Sequence, residues 1–291
     1  MDRNFKIDFI GIGATKSGTT WLANCLRAHP EVCLSEPKEV QYFNLCQPHL
    51  NIVNKNHSKP FSWYVNHFRH CRADKVKGEF SPVYMHDEKA PYSIKSHFPE
   101  VKLIVCLRNP IDRAYSDYWM RRSFLKRENE TFEHAIEKDK SYVEIGLYCK
   151  QLRRYFELFE RNQILILLFD DIVSSPAQQM KKVFDFLGVN SCVRMPSNLL
   201  LRKQNEAKEV RYKSLMDFVT FAQNFAINRR LSFLSILLRK VGVKRLVMKI
   251  GTRPIKNPDM NPQTRMGLYK IFENDIKGLE KLVSRDLSHW K

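Results

Sequence analysis

The segment Phe9-Ile-Gly-Ile-Gly13-Ala-Thr-Lys16-Ser17-Gly18-Thr19-Thr20-Trp21-Leu22 constrains the fold more than any other part of the chain. An apolar strand breaks into a glycine-rich turn and restarts as a helix, with Leu22, Cys25 and Leu26 at helical spacing. A strand–turn–helix unit of this kind belongs to α/β folds, where the turn lies off the C-terminal end of a buried strand. The turn aims backbone N–H groups and a helix N-terminus at one point, where an anion is the natural occupant. Lys16 adds positive charge there, and Ser17, Thr19 and Thr20 add hydroxyl donors.

A second unit repeats the logic at Leu103-Ile-Val-Cys-Leu-Arg108-Asn109-Pro110-Ile-Asp-Arg113-Ala-Tyr-Ser116. The strand Lys102–Leu107 is an apolar run of the kind that parallel strands buried on both faces show. Arg108 stands at its end, Asn109 suits a helix cap, and Pro110 suits the first helical position. Ser116 follows about two turns in. Two separate anion sites suit a nucleotide phosphorylated at both ends.

Further strands are expected at Phe9–Gly13, Val32–Leu34, Lys77–Phe80 and Gln163–Phe169. The first helix should stop near His29-Pro30, and a later helix, Pro176–Leu187, should be capped by Gly188. Strands alternating with helices predict one α/β domain over residues 1–291, with a central parallel sheet flanked by helices. Lys16, Glu39, Ser81 and Arg108 all fall just after strands, where such a sheet binds its ligand. The loop-rich stretch Ser35–Asp74 is the expected acceptor side. Residues 210–250 interleave Leu215, Phe218, Val219 and Phe225 with Arg229, Arg230, Arg239, Lys240, Lys244 and Arg245, which predicts a helical lid in the C-terminal third.

Lys16-Ser-Gly-Thr-Thr-Trp-Leu22 resembles the 5′-phosphosulfate loop of sulfotransferases that use 3′-phosphoadenosine-5′-phosphosulfate (PAPS), and Arg108-Asn-Pro-Ile-Asp-Arg-Ala-Tyr-Ser116 resembles their 3′-phosphate motif. Pro37-Lys-Glu39-Val-Gln-Tyr-Phe43 is similar to the acceptor-side segment that carries a catalytic glutamate in the glycosaminoglycan-type branch. Gly78-Glu-Phe-Ser-Pro82-Val-Tyr84, Gly146-Leu-Tyr148 and Phe169-Asp-Asp171 fall in the family's order. The resemblance implies a P-loop-like sulfotransferase fold with PAPS as sulfuryl donor and no metal. It implies donor binding by Lys16, Ser17, Gly18, Thr19, Thr20, Trp21 (against adenine), Arg108, Ser116 and Tyr148. Arg253 and Lys256 resemble a basic loop that closes over the cofactor. Lys16 and Glu39 would be catalytic, Glu39 as general base, with His86 as the alternative base. The acceptor would offer a hydroxyl or amine on a small molecule or carbohydrate.

The competing reading is a P-loop kinase. Gly13 to Gly18 match the Walker glycine spacing, but Thr19 and Thr20 follow Gly18 where that pattern needs Lys and then Ser or Thr. The formal charge of +18 suits a polyanionic cofactor or an acidic polysaccharide acceptor. Nucleic acid is not the expected partner, because zinc-finger spacing, RNP-type aromatics and basic repeats are missing. The absence of a long apolar run and of a signal-peptide pattern predicts a cytoplasmic enzyme without an anchor. Seven cysteines without a CxxC pair read as reduced thiols. His67-Phe-Arg-His70-Cys71 offers three metal ligands and no matching fourth, so no metal site is expected. Asp170 and Asp171 are assigned to structure, and Arg113 to a solvated pair with Asp117.

Overall fold

Five strands form one parallel sheet in the computed structural model, which describes residues 5–47, 52–200, 208–210, 252–254 and 257–291. They are β1 (Phe9–Gly13), β2 (Val32–Leu34), β3 (Val76–Phe80), β4 (Lys102–Leu107) and β5 (Ile164–Leu168). Each lies within one residue of its expected bounds. The order is β2-β3-β1-β4-β5, with Phe9 facing Gly78 on one side and Lys102 on the other. From β1 the chain leaves toward β2, and from β4 it leaves toward β5. Adjacent strands whose connections depart in opposite directions open a crevice at their C-terminal ends, the usual ligand site of such sheets. The two anion-binding motifs stand at those two strand ends.

Helices cover the sheet. α1 (Thr19–Ala28) buries Leu22 and Leu26 in a cluster with Phe9, Phe80, Ile104, Leu167 and Phe184. It stops before Pro30, with His29 already extended. α2 (Pro110–Trp119) follows β4, α3 (Tyr148–Phe156) precedes β5, and α4 (Phe169–Ser174) begins directly after β5. α5 (Pro176–Leu187) ends as predicted on Gly188, at φ 76. α6 (Pro262–Val283) presents Asp275 to the start of α3, where it accepts from the Cys149 and Lys150 N–H groups (3.0 and 3.2 Å).

The chain divides into two compact units, one of Met1–Tyr115, Ile136–Asn205 and Met260–Lys291, the other of Ser116–Ala135 and Glu206–Asp259. The first is the α/β domain with the five-stranded sheet. The second contains a two-stranded pairing of Lys208–Val210 with Thr252–Pro254. The expected lid over 210–250 lies outside the described residues, apart from Val210 itself.

Two expectations are corrected. Cys33 and Cys71 form a disulfide with Cα atoms 5.7 Å apart. They are 38 residues apart in sequence, and the fold joins them by returning residues 66–71 to β2, where His67 and His70 meet the Glu36 and Leu34 carbonyls. The other five cysteines are free. Arg113 is not solvated. It is fully buried and donates to the Tyr142 carbonyl, while Asp117 pairs with Arg121 at 2.8 Å.

Candidate active site

The loop between β1 and α1 is shaped by two residues in the left-handed region, Lys16 (φ 65) and Gly18 (φ 93). Glycine is required at 18 for that backbone, and a Cβ there would lie 3.2 Å from the Phe169 ring. Gly18 caps α1 without a side-chain hydrogen bond, and no acidic residue occupies the first turn. The first N–H groups of the helix therefore keep their positive end for an anion. Ser17 and Thr19 are buried in the loop, and Thr20 is exposed. The buried Trp21 donates its indole N–H to the Leu200 carbonyl (3.3 Å).

Across the crevice, the Ala14 N–H bonds the Cys106 carbonyl at 2.8 Å and ties the loop to the end of β4. Arg108 follows, its guanidinium 4.8 Å from the centre of the Phe169 ring. Phe169 thus backs both Gly18 and Arg108. Burial lowers the Arg108 pKa, opposed by Asp112, Tyr148 and Asp170. Asn109 caps α2 as its type and place predict, accepting from the Ile111 N–H (3.0 Å). Burial pushes the Tyr148 hydroxyl up to about 12, with Arg113, Ser17 and Arg108 pulling the other way.

Thr15 Oγ1 is buried and has no hydrogen-bond partner among the described residues, and the buried Tyr148 hydroxyl lies beside Ser17 and Arg108. An orphaned hydroxyl, an acid-free helix N-terminus and a half-buried arginine fit a phosphorylated ligand.

Glu39 stands on the other side of the loop. Lys38 Nζ lies 3.0 Å from Glu39 Oε1, and Gln41 Nε2 donates to Glu39 Oε2 at 3.2 Å. The same Lys38 ammonium donates to Thr20 Oγ1 (3.4 Å), and its charge opposes the burial that raises the Cys106 thiol to about 12. Lys38 therefore bridges the candidate base, the phosphate loop and the end of β4. From the sequence, Lys38 has no assigned role, although its place one residue before Glu39 was the available signal.

His86 lies half-buried just past the short helical turn Pro82–Met85. Its neighbour Asp87 accepts from the Leu45 and Cys46 N–H groups and organises the acceptor-side loop. Ser116 lies on α2 in the second compact unit, and Arg253 lies in the strand Thr252–Pro254 of that unit. Lys256 is outside the described residues. Asp170 and Asp171 have the structural role assigned to them. Asp170 accepts from the Trp290 indole (2.9 Å), and Asp171 pairs with Arg285 (2.9 Å). Cys33, His70 and Cys71 bring ligand atoms within 4.8 Å of one another, but two of the three are spent on the disulfide.

A parallel sheet with a glycine-shaped loop and a half-buried arginine at its switch point defines a P-loop-like α/β domain. A family profile for the sulfotransferase domain matches residues 6–223. The chain belongs to the sulfotransferase family. Heparan sulfate glucosamine 3-O-sulfotransferase 3B1 of Mus musculus is 30% identical over 190 residues, which make up 62% of this chain and 46% of that protein. The bifunctional heparan sulfate N-deacetylase/N-sulfotransferase 4 of Mus musculus is 32% identical over 203 residues, or 62% of this chain and 22% of that protein. The chain thus spans less than half the length of either relative. A sulfotransferase from Alicyclobacillus acidocaldarius shares the fold, with a TM-score of 0.68 at 22% identity over 98% of this chain and 99% of that one.

Proposed function

We propose that the protein transfers the sulfuryl group of PAPS to a hydroxyl or amine of a carbohydrate or small-molecule acceptor, releasing adenosine 3′,5′-bisphosphate. The observation that carries this reading is the Lys38 bridge, which sets a carboxylate beside the phosphate loop. PAPS, when bound, supplies an activated sulfuryl group and a good leaving phosphate. Lys16, the N–H groups at the start of α1, Thr19 and Thr20 neutralise negative charge at the loop. Arg108, with Tyr148, holds the 3′-phosphate side, and Trp21 takes the adenine. Glu39 accepts the acceptor's proton, its carboxylate oriented by Lys38 and Gln41. The reading needs no metal, because the positive charge at the loop comes from lysine and backbone N–H groups.

Among the described residues no helix is long and apolar enough to cross a membrane. The Cys33–Cys71 disulfide favours an oxidising compartment over the cytoplasm as the setting of the reaction.

A polyanionic polysaccharide is the second reading of the acceptor, favoured by the net charge of +18 and by the heparan sulfate named for the relatives. Salt separates the two. For a small acceptor, KM should stay within about twofold between 50 and 300 mM NaCl, since exposed charges are screened over about 8–10 Å near physiological salt. A KM that climbs steeply over that range, with heparin binding that survives saturating adenosine bisphosphate, would establish the polymeric acceptor instead.

A further inference from the structure

Consecutive backbone N–H groups beside Glu39 all end on one buried carboxylate, that of Glu79 on β3. The Val40 N–H donates directly to Glu79 Oε2 (3.3 Å). The Gln41 N–H donates to Ser81 Oγ (3.0 Å), which donates onward to Oε2 (2.7 Å). The Tyr42 N–H donates to Tyr84 Oη (2.8 Å), which donates onward to Oε1 (3.0 Å), and the Phe43 N–H shares the same phenol (3.4 Å). Tyr64, from the short helix Phe61–Val65, gives Oε1 a further donor at 3.1 Å. Ser81 and Tyr84 each accept from the backbone, so their single protons must point to the carboxylate. Glu79 is fully buried among these groups, at 0% accessibility.

The segment held this way is not relaxed. Gln41 has φ 51, a conformation that disfavours any residue with a Cβ, and it is the residue that donates to Glu39. Its carbonyl is fixed as well, by Asn54 Nδ2 at 2.6 Å.

We propose that Glu79 is a positioning residue for the transfer step, its ionised carboxylate holding Val40–Phe43 through Ser81 and Tyr84 so that Gln41 keeps Glu39 aligned for proton transfer. This rests on the reading of Glu39 as the base. Ionised Glu79 has lone pairs for all four of its donors. Protonated Glu79 brings one more hydrogen that must displace a donor, which loosens the segment. The titratable groups facing it are Tyr64 from the short helix, Tyr84 after β3 and Tyr42 from the segment itself. Burial keeps all three protonated, so none changes charge near neutral pH. Burial raises Glu79 itself from 4.5 to about 7, against the hydrogen bonds of Ser81, Tyr84 and Tyr64. The sign for activity and the sign for stability are opposite. The rate rises with pH through about 7, while the stability linked to this proton is complete below about 4.5 and is lost as pH rises through about 7.

The test is the pH dependence of sulfate release from PAPS with water as acceptor, alongside calorimetric affinity for adenosine 3′,5′-bisphosphate. In the unsubstituted enzyme the rate should climb through an apparent pKa of about 7. Glu79→Gln should lose that limb and about tenfold in rate, with nucleotide affinity unchanged. Tyr64→Phe removes a donor that favours the ionised form without cutting either relay, so its limb should move to higher pH. A Glu79→Gln enzyme that binds nucleotide and keeps the limb overturns the proposal. If Glu79→Gln does not fold, an unmoved limb in Tyr64→Phe overturns it. Glu39→Gln, run in parallel, judges the base reading separately, since an undiminished rate there defeats that reading whatever Glu79 does.

Discussion

Glu39→Gln should lower turnover by roughly 10²–10⁴-fold while leaving affinity for adenosine 3′,5′-bisphosphate within about twofold. The substitution preserves size and hydrogen-bonding shape but removes the ability to take a proton. Lys38 Nζ lies 3.0 Å from Oε1 and Gln41 Nε2 lies 3.2 Å from Oε2, so the carboxylate is already oriented before an acceptor arrives. An amide would keep one of these partners and lose the charge that Lys38 matches. His86→Gln should do much less, because His86 stands past the turn Pro82–Met85, outside the bridge to the phosphate loop. Steady-state rates of adenosine bisphosphate release for both variants check this. If the histidine change abolishes turnover and the glutamate change does not, the two roles must be exchanged.

Arg108→Ala should weaken adenosine 3′,5′-bisphosphate about 10- to 150-fold, the worth of a lost hydrogen-bonded contact to a charged group. Affinity for AMP, which lacks the 3′-phosphate, should hardly change. The guanidinium is half-buried with the Phe169 ring centre 4.8 Å away, so it meets its ligand where charge is screened less than in bulk water. Arg108→Lys should recover only part of the loss, because the ammonium keeps the charge but not the planar fork or the stacking on the ring. Calorimetry on the two nucleotides distinguishes this from misfolding, since a collapsed site would lose both equally.

The sheet was legible chiefly because β1, β2, β4 and β5 are mainly apolar runs, while β3 carries Lys77 and Glu79 within it. Val32–Leu34 and Lys102–Leu107 lie where their sequences predict. Capping chemistry was as readable, at Asn109 for the start of α2 and Gly188 for the end of α5. What escaped was contact across distance in the chain. Lys38 and Thr20 are 18 residues apart, and nothing in their spacing joins them. Cys33 and Cys71 meet only because the chain folds back onto β2. Glu79 sits in a recognisable motif, yet its gathering of the Val40, Gln41 and Tyr42 N–H groups depends on tertiary placement. Arg113 read as a surface residue because a helix position next to an acidic partner at i+4 normally is one, and burial under Tyr142 overrode that rule.

Nucleotide selectivity tests the central claim most directly. Calorimetry with adenosine 3′,5′-bisphosphate, AMP and ATP, each with and without Mg²⁺, measures whether two anion sites act on one ligand. Contacts to the 3′-phosphate worth about 2–4 kcal/mol together predict that the bisphosphate binds about 30- to 1,000-fold more tightly than AMP. Its affinity should be the same in excess EDTA. Tighter binding of ATP, or a requirement for Mg²⁺, would contradict the account and return the loop of Gly13 to Gly18 to the kinase reading.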